Sequence, residues 1–114
     1  MRPRDFCREP GYDKALLITY DFDALFFERI VLPDLWVGGS TDIQVLADFG
    51  QVNQALPRWV GQVRQLGQRY QLTCANLGGA FHPKMIIRAG SSGAAVWIGS
   101  GNITHGGWGC NLEV

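Results

Sequence analysis

Apolar positions along the chain follow two different periods, and these predict its elements. Ala15-Leu-Leu-Ile-Thr-Tyr20 is a short apolar run rich in strand formers and reads as a buried strand. Asp21 to Asp23 offer an N-cap. Leu25, Phe26 and Ile30 then recur at roughly helical spacing over Ala24–Leu32, so a helix is predicted there, stopped before Pro33. Gly38-Gly39-Ser40 reads as a loop and Asp42–Asp48 as a second strand. Val52, Leu56, Val60, Val63 and Leu66 are spaced by three or four, which predicts a helix over Val52–Arg69 despite Pro57. Tyr70–Leu77 is a third strand. Strand, helix, strand, helix, strand predicts a right-handed α/β unit on a mainly parallel sheet.

After that the pattern shortens. Lys84–Arg88 and Ala94–Ile98 read as two strands joined by Gly90-Ser-Ser-Gly93, a hairpin signal. Gly99–Gly109 is loop or short helix, and Asn111–Val114 begins another strand. Residues 1–13 are polar with two prolines and read as an N-terminal arm or linker ahead of a domain over residues 14–114. A chain stopping inside a strand is expected to be C-terminally incomplete.

Composition narrows the classes. With 114 residues, 46% of them hydrophobic, the chain is one domain with a core that needs no staples. Cys7, Cys74 and Cys110 cannot all pair and show no C-x-x-C spacing, which argues against a disulfide scaffold and a zinc ribbon and favours a reducing cytoplasm. Neither a signal peptide nor an apolar run of about 18 residues is seen, so no stable membrane association is expected. A net charge of zero argues against a generally basic nucleic-acid coat but not against a small basic cleft. Glycine, at 15 residues, is over-represented, and more than half of it lies between Gly78 and Gly109.

That glycine-rich stretch holds the candidate chemistry. Alternation along a strand points His82 and Lys84 of His82-Pro83-Lys84 the same way. An imidazole beside a fixed ammonium suits a phosphate ester, whose negative charge must be held during transfer. Alone, the triplet reads equally as polar residues where a strand begins. Gly99-Ser100-Gly101-Asn102 follows the next strand; glycines let backbone N–H groups approach an anion, and Ser and Asn add neutral donors. In isolation it is an ordinary glycine turn. Glu113, in Asn111-Leu112-Glu113, could hold an imidazole N–H and fix its tautomer, or be a solvated strand end.

The ordered series changes the balance. His82-Pro-Lys84, Gly99-Ser100-Gly101-Asn102 and Asn111-Leu-Glu113 together resemble the phospholipase D superfamily motif, H-x-K, G-S-x-N and N-x-E. The family's strict signature places Asp five residues after the Lys, where this chain has Ala89. The run Asn102-Ile-Thr-His105-Gly-Gly-Trp108 is similar to the tyrosyl-DNA phosphodiesterase branch, although that branch does not usually carry the N-x-E ending. The resemblance implies an α/β half-domain with a mixed, mainly parallel sheet flanked by helices. It implies metal-independent phosphodiester chemistry with no cofactor, most readily as a nuclease or DNA-end-processing enzyme on nucleic acid. His82 would form a covalent phosphohistidine; Lys84, Asn102 and Ser100 would hold the non-bridging oxygens, beside Gly101; Glu113 would orient a histidine. The second histidine of the family's site comes from a second motif copy, expected here from a homodimer partner or from sequence beyond Val114. His105, which lacks a neighbouring Lys, and Trp108 are candidates for substrate contact. His105 and Cys110 make a poor zinc site.

Other positions have plainer readings. Trp97 suits core or interface, and Trp36, Trp59 and Trp108 could stack bases. Arg58, Arg64 and Arg69 read as a solvated face of the second helix rather than a phosphate track. Asp21 and Asp23 read as an N-cap. Two functional alternatives remain: a phospholipase or phosphatidyltransferase, and a non-catalytic nucleic-acid-binding or dimerisation module of a larger defence or helicase protein. Ala89 and the single motif copy motivate the latter.

Overall fold

A computed structural model describes residues 1–77, 84–99 and 103. Its five strands form one open mixed sheet: β1 (Lys14–Thr19), β2 (Asp42–Asp48), β3 (Gln71–Ala75), β4 (Lys84–Gly90) and β5 (Gly93–Gly99), in the order β3-β2-β1-β4-β5. The β1–β2 and β2–β3 ladders are parallel, whereas β4 runs antiparallel to β1 and β5 antiparallel to β4. The fold is therefore α/β, with parallel and antiparallel pairing evenly mixed.

Both crossovers, β1 to β2 and β2 to β3, step in the same direction across the sheet. Right-handed connections then place their helices on the same face. That face carries Ala15, Leu17 and Thr19 of β1, Ile43, Val45 and Ala47 of β2, and Lys84, Ile86 and Arg88 of β4, all buried. Over it pack Phe22, Phe27, Trp59 and Tyr70, with ring centroids 4.7–6.5 Å apart. On the opposite face Leu16, Ile18, Met85 and Ile87 are half-buried, and Val96 and Ile98 are exposed.

The first crossover is α2 (Ala24–Phe26), a π-helical turn over Phe27–Val31 and α3 (Leu32–Val37). The helix expected to stop before Pro33 runs on through it. Pro33 sits in the first turn of α3, where its missing N–H is tolerated, and the π turn resets the bonding register just upstream. Asp23 caps the start as expected, accepting from Leu25 N and Phe26 N at 3.0 and 3.2 Å.

The second crossover differs from its prediction. Helix α4 covers Phe49–Trp59 and ends at Val60, before Gly61 with φ +79°. Its buried residues are Val52, Ala55 and Trp59, while Leu56 and Val60 of the expected stripe are exposed. Trp59 turns the helix by one position because its ring packs edge-on against Phe22, which buries more apolar area than leucine does. The chain after it is held by Glu28, which accepts from Arg64 N, Gln65 N and the Tyr70 hydroxyl.

The expected N-terminal arm lies against the body of the domain. It contains α1 (Pro3–Arg8), which buries Phe6 and Cys7. Asp34 of α3 is nearly fully buried and pairs with Arg8 at 2.9 Å and Arg4 at 3.3 Å. Arg88 gathers the carbonyls of Phe6, Glu9, Tyr12 and Gly38 and the Ser40 hydroxyl at 2.6–3.2 Å. Gly38 has to be glycine here, since a Cβ would run into the Cys7 carbonyl and the Arg88 guanidinium.

Candidate functional site

Three parallel strands end, and β4 begins, at the same edge of the sheet. Open α/β sheets bind ligands at the carboxyl ends of their parallel strands. Lys84 is the first residue of β4 and pairs with Gly99, the last residue of β5. The first residue of the Gly99-Ser100-Gly101-Asn102 motif therefore lies beside Lys84. His82, Ser100, Gly101, Asn102, His105, Trp108 and Glu113 lie outside the described residues, as do Cys110 and the strand expected over Asn111–Val114.

Lys84 is fully buried on the covered face. Its Nζ lies 5.4 Å from the centre of the Trp97 ring, a distance at which a cation is attracted to the π face. Trp97 is buried, in keeping with a core role, and its indole N–H donates to the Met1 carbonyl at 3.0 Å. Burial lowers the Lys84 pKa from 10.5 to about 8, against a smaller opposing influence from Cys7. The ammonium therefore still carries its charge at neutral pH. Cys7 is pushed up to about 12, chiefly by burial, so its thiol stays protonated and is a poor nucleophile.

Ile103 is the residue that follows Asn102, and it is tied to the end of β1. It is fully buried, bridges Phe22 in parallel fashion, and its N–H donates to Thr19 Oγ1 at 3.2 Å. Its carbonyl accepts from Asp23 N at 3.1 Å. Thr19 is itself fully buried, and its hydroxyl donates to the Asp21 carbonyl at 2.8 Å. Ile18 pairs with Met85, so Thr19, one residue on, lies beside Lys84 on the same face. Asp48, at the end of β2, accepts from Gln51 N as the cap of α4 and from Leu77 N at 3.1 Å, fixing the chain as it leaves β3.

Neither Thr19 nor Asp48 stands out as a site residue in the sequence. The available signal for Thr19 is a hydroxyl at the third inward position of an otherwise apolar strand, after Ala15 and Leu17. The arginines do not form the expected face of one helix. Arg58 lies exposed on α4, whereas Arg64 and Arg69 follow its end, and the Arg69 guanidinium stacks over the exposed Trp36 at 4.8 Å. Among the described residues, no three His, Cys, Asp or Glu side chains come together as a metal site. No protein-family model matches the chain, and a comparison with curated proteins finds no match.

Proposed function

We propose that the chain is a metal-independent phosphodiesterase of the phospholipase D type, acting on nucleic acid as a nuclease or DNA-end-processing enzyme. The observation that carries this reading is the place of Lys84. It is a charged, fully buried ammonium at the carboxyl edge of the parallel strands, paired across the ladder with Gly99, the first residue of the Gly99-Ser100-Gly101-Asn102 motif. The order of the motif supplies the rest. His82 attacks phosphorus and displaces the leaving oxygen, giving a phosphohistidine that water then hydrolyses. Lys84, Asn102 and Ser100 hold the non-bridging oxygens as charge accumulates in the transition state. Glu113 orients a histidine. A second histidine protonates the leaving oxygen and later activates water; it comes from a second motif copy, in a homodimer partner or in further sequence.

The deciding experiment uses labelled single- and double-stranded DNA with EDTA present. Wild type is expected to cleave, His82→Ala to lose at least about 10³-fold in kcat as the nucleophile is removed, and phosphohistidine to be trappable on His82. The kcat/KM should fall as pH rises through about 8, because the free enzyme's Lys84 loses its charge there. Equal cleavage by His82→Ala, or none by wild type, rejects the reading. Head-group release from phosphatidylcholine vesicles without DNA cleavage would move the substrate to lipid.

A further inference from the structure

We infer that Thr19 is a positioning residue that sets the spacing between Lys84 and Ile103, the residue after Asn102. The inference rests on the phosphodiesterase reading for its consequence, but the clamp itself stands on geometry. Lys84 and Ile103 belong to segments separated in sequence by β5 and Ser100-Gly101-Asn102. Thr19 is linked to both, to β4 through its backbone and to Ile103 through its hydroxyl. Its backbone belongs to β1, whose register with β4 is set by a ladder running from Lys14–Ala89 to Ile18–Met85. Its hydroxyl oxygen accepts the Ile103 N–H at 3.2 Å while its proton goes to the Asp21 carbonyl at 2.8 Å.

The donor to Asp21 also fixes the direction of the hydroxyl, leaving a lone pair toward Ile103. The Asp23 N–H to Ile103 carbonyl bond at 3.1 Å completes a two-point attachment, and the buried Ile103 side chain anchors it. Asn102 is one peptide away from this attachment. In a site whose work is to hold an anion between an ammonium and an amide, an error of about 1 Å in their spacing costs on the order of 100-fold in rate. A valine at position 19 keeps the shape and removes the hydroxyl; a serine keeps the hydroxyl.

The test compares Thr19→Val and Thr19→Ser in the full chain, with bis(p-nitrophenyl) phosphate as a generic phosphodiester and hydrogen exchange at the Ile103 amide as a second readout. Thr19→Val should lower kcat by about 10- to 100-fold with KM changed less than threefold. It should also speed Ile103 exchange by at least tenfold under conditions where β1 and β2 amides keep their protection. Thr19→Ser should recover kcat to within a few-fold and restore protection. A Thr19→Val protein with kcat within twofold of wild type overturns the inference, as does one that Thr19→Ser does not improve upon. If wild type hydrolyses no phosphodiester, the proposed function fails and the clamp is judged on exchange alone: retained Ile103 protection in Thr19→Val rejects it, and selective loss upholds it.

Discussion

Strand β4 buries two cations on one face, and their surroundings differ. Arg88, toward the end of the strand, sits among oxygen atoms. Phe6 O and Glu9 O come from the C-terminal end of α1, and Gly38 O from that of α3. These are the negative ends of helix dipoles, and a guanidinium with its fixed fork of donors can bond several at once. Burial lowers its pKa, yet an arginine starts so high that it stays charged. Lys84, at the start of the same strand, is as fully buried but lies at the sheet edge, over the Trp97 ring, with a pKa of about 8. The contrast separates a cation that ties the structure together from one whose charge is held at a cost and can be lost within a working pH range.

Removing each cation should separate the two roles. Arg88→Met leaves four carbonyls and the Ser40 hydroxyl without this partner and frees the segment from α1 to Tyr12. It should cost about 3–5 kcal/mol, read as a lowered urea midpoint. A loss below about 1 kcal/mol would mean that water replaces the guanidinium and that Arg88 is no more structural than Lys84.

Lys84→Met should act in the opposite direction on stability while abolishing activity. The unfolded lysine keeps its proton up to about 10.5 and the folded one only to about 8. Between these values the unfolded state binds more protons, so stability rises with pH. At pH 7 the buried charge therefore costs on the order of 1–3 kcal/mol, which methionine should recover. Cys7, Cys74 and Tyr70 all have raised pKa values and lower stability at higher pH, Cys7 from about 9 upward. The clean window is thus pH 7 to 9: wild type should gain stability across it and Lys84→Met should not. Equal slopes in urea melts would show that the Lys84 charge is not penalised by the fold.

The same contrast explains what could be read from the sequence. Strand β2 has the expected limits because Asp42 and Asp48 bound an apolar run interrupted only by Gln44, a local signal. The β4–β5 hairpin was legible from a different local signal, the turn residues Gly90-Ser-Ser-Gly93 between two short apolar runs. Arg88 was not, since its partners are main-chain carbonyls up to 82 residues away, and a carbonyl has no signature in the sequence. The short α4 was hidden similarly: Glu28, 36 residues from Arg64, holds the following chain out of helix. Thr19 escaped notice because one hydroxyl in an apolar strand has no period.

The smallest expected effect concerns Ala89, where the phospholipase D pattern that the motif resembles has aspartate. Ala89 is five residues from Lys84, about 16 Å along an extended strand, and alternation puts its side chain on the other face. It pairs with Lys14, which pairs in turn with Asp42, and these residues line the same shallow groove as Leu16, Gln44 and Ile87. An aspartate there would meet Lys14 and could not reach a group held by Lys84. Ala89→Asp should therefore leave kcat and KM within twofold of wild type. It should add about 0.2–1 kcal/mol through the cross-strand pair, a gain that fades in high salt. A tenfold change in kcat in either direction would mean that the two faces of β4 are coupled, and the division between a structural and a chemical end of the strand would fail.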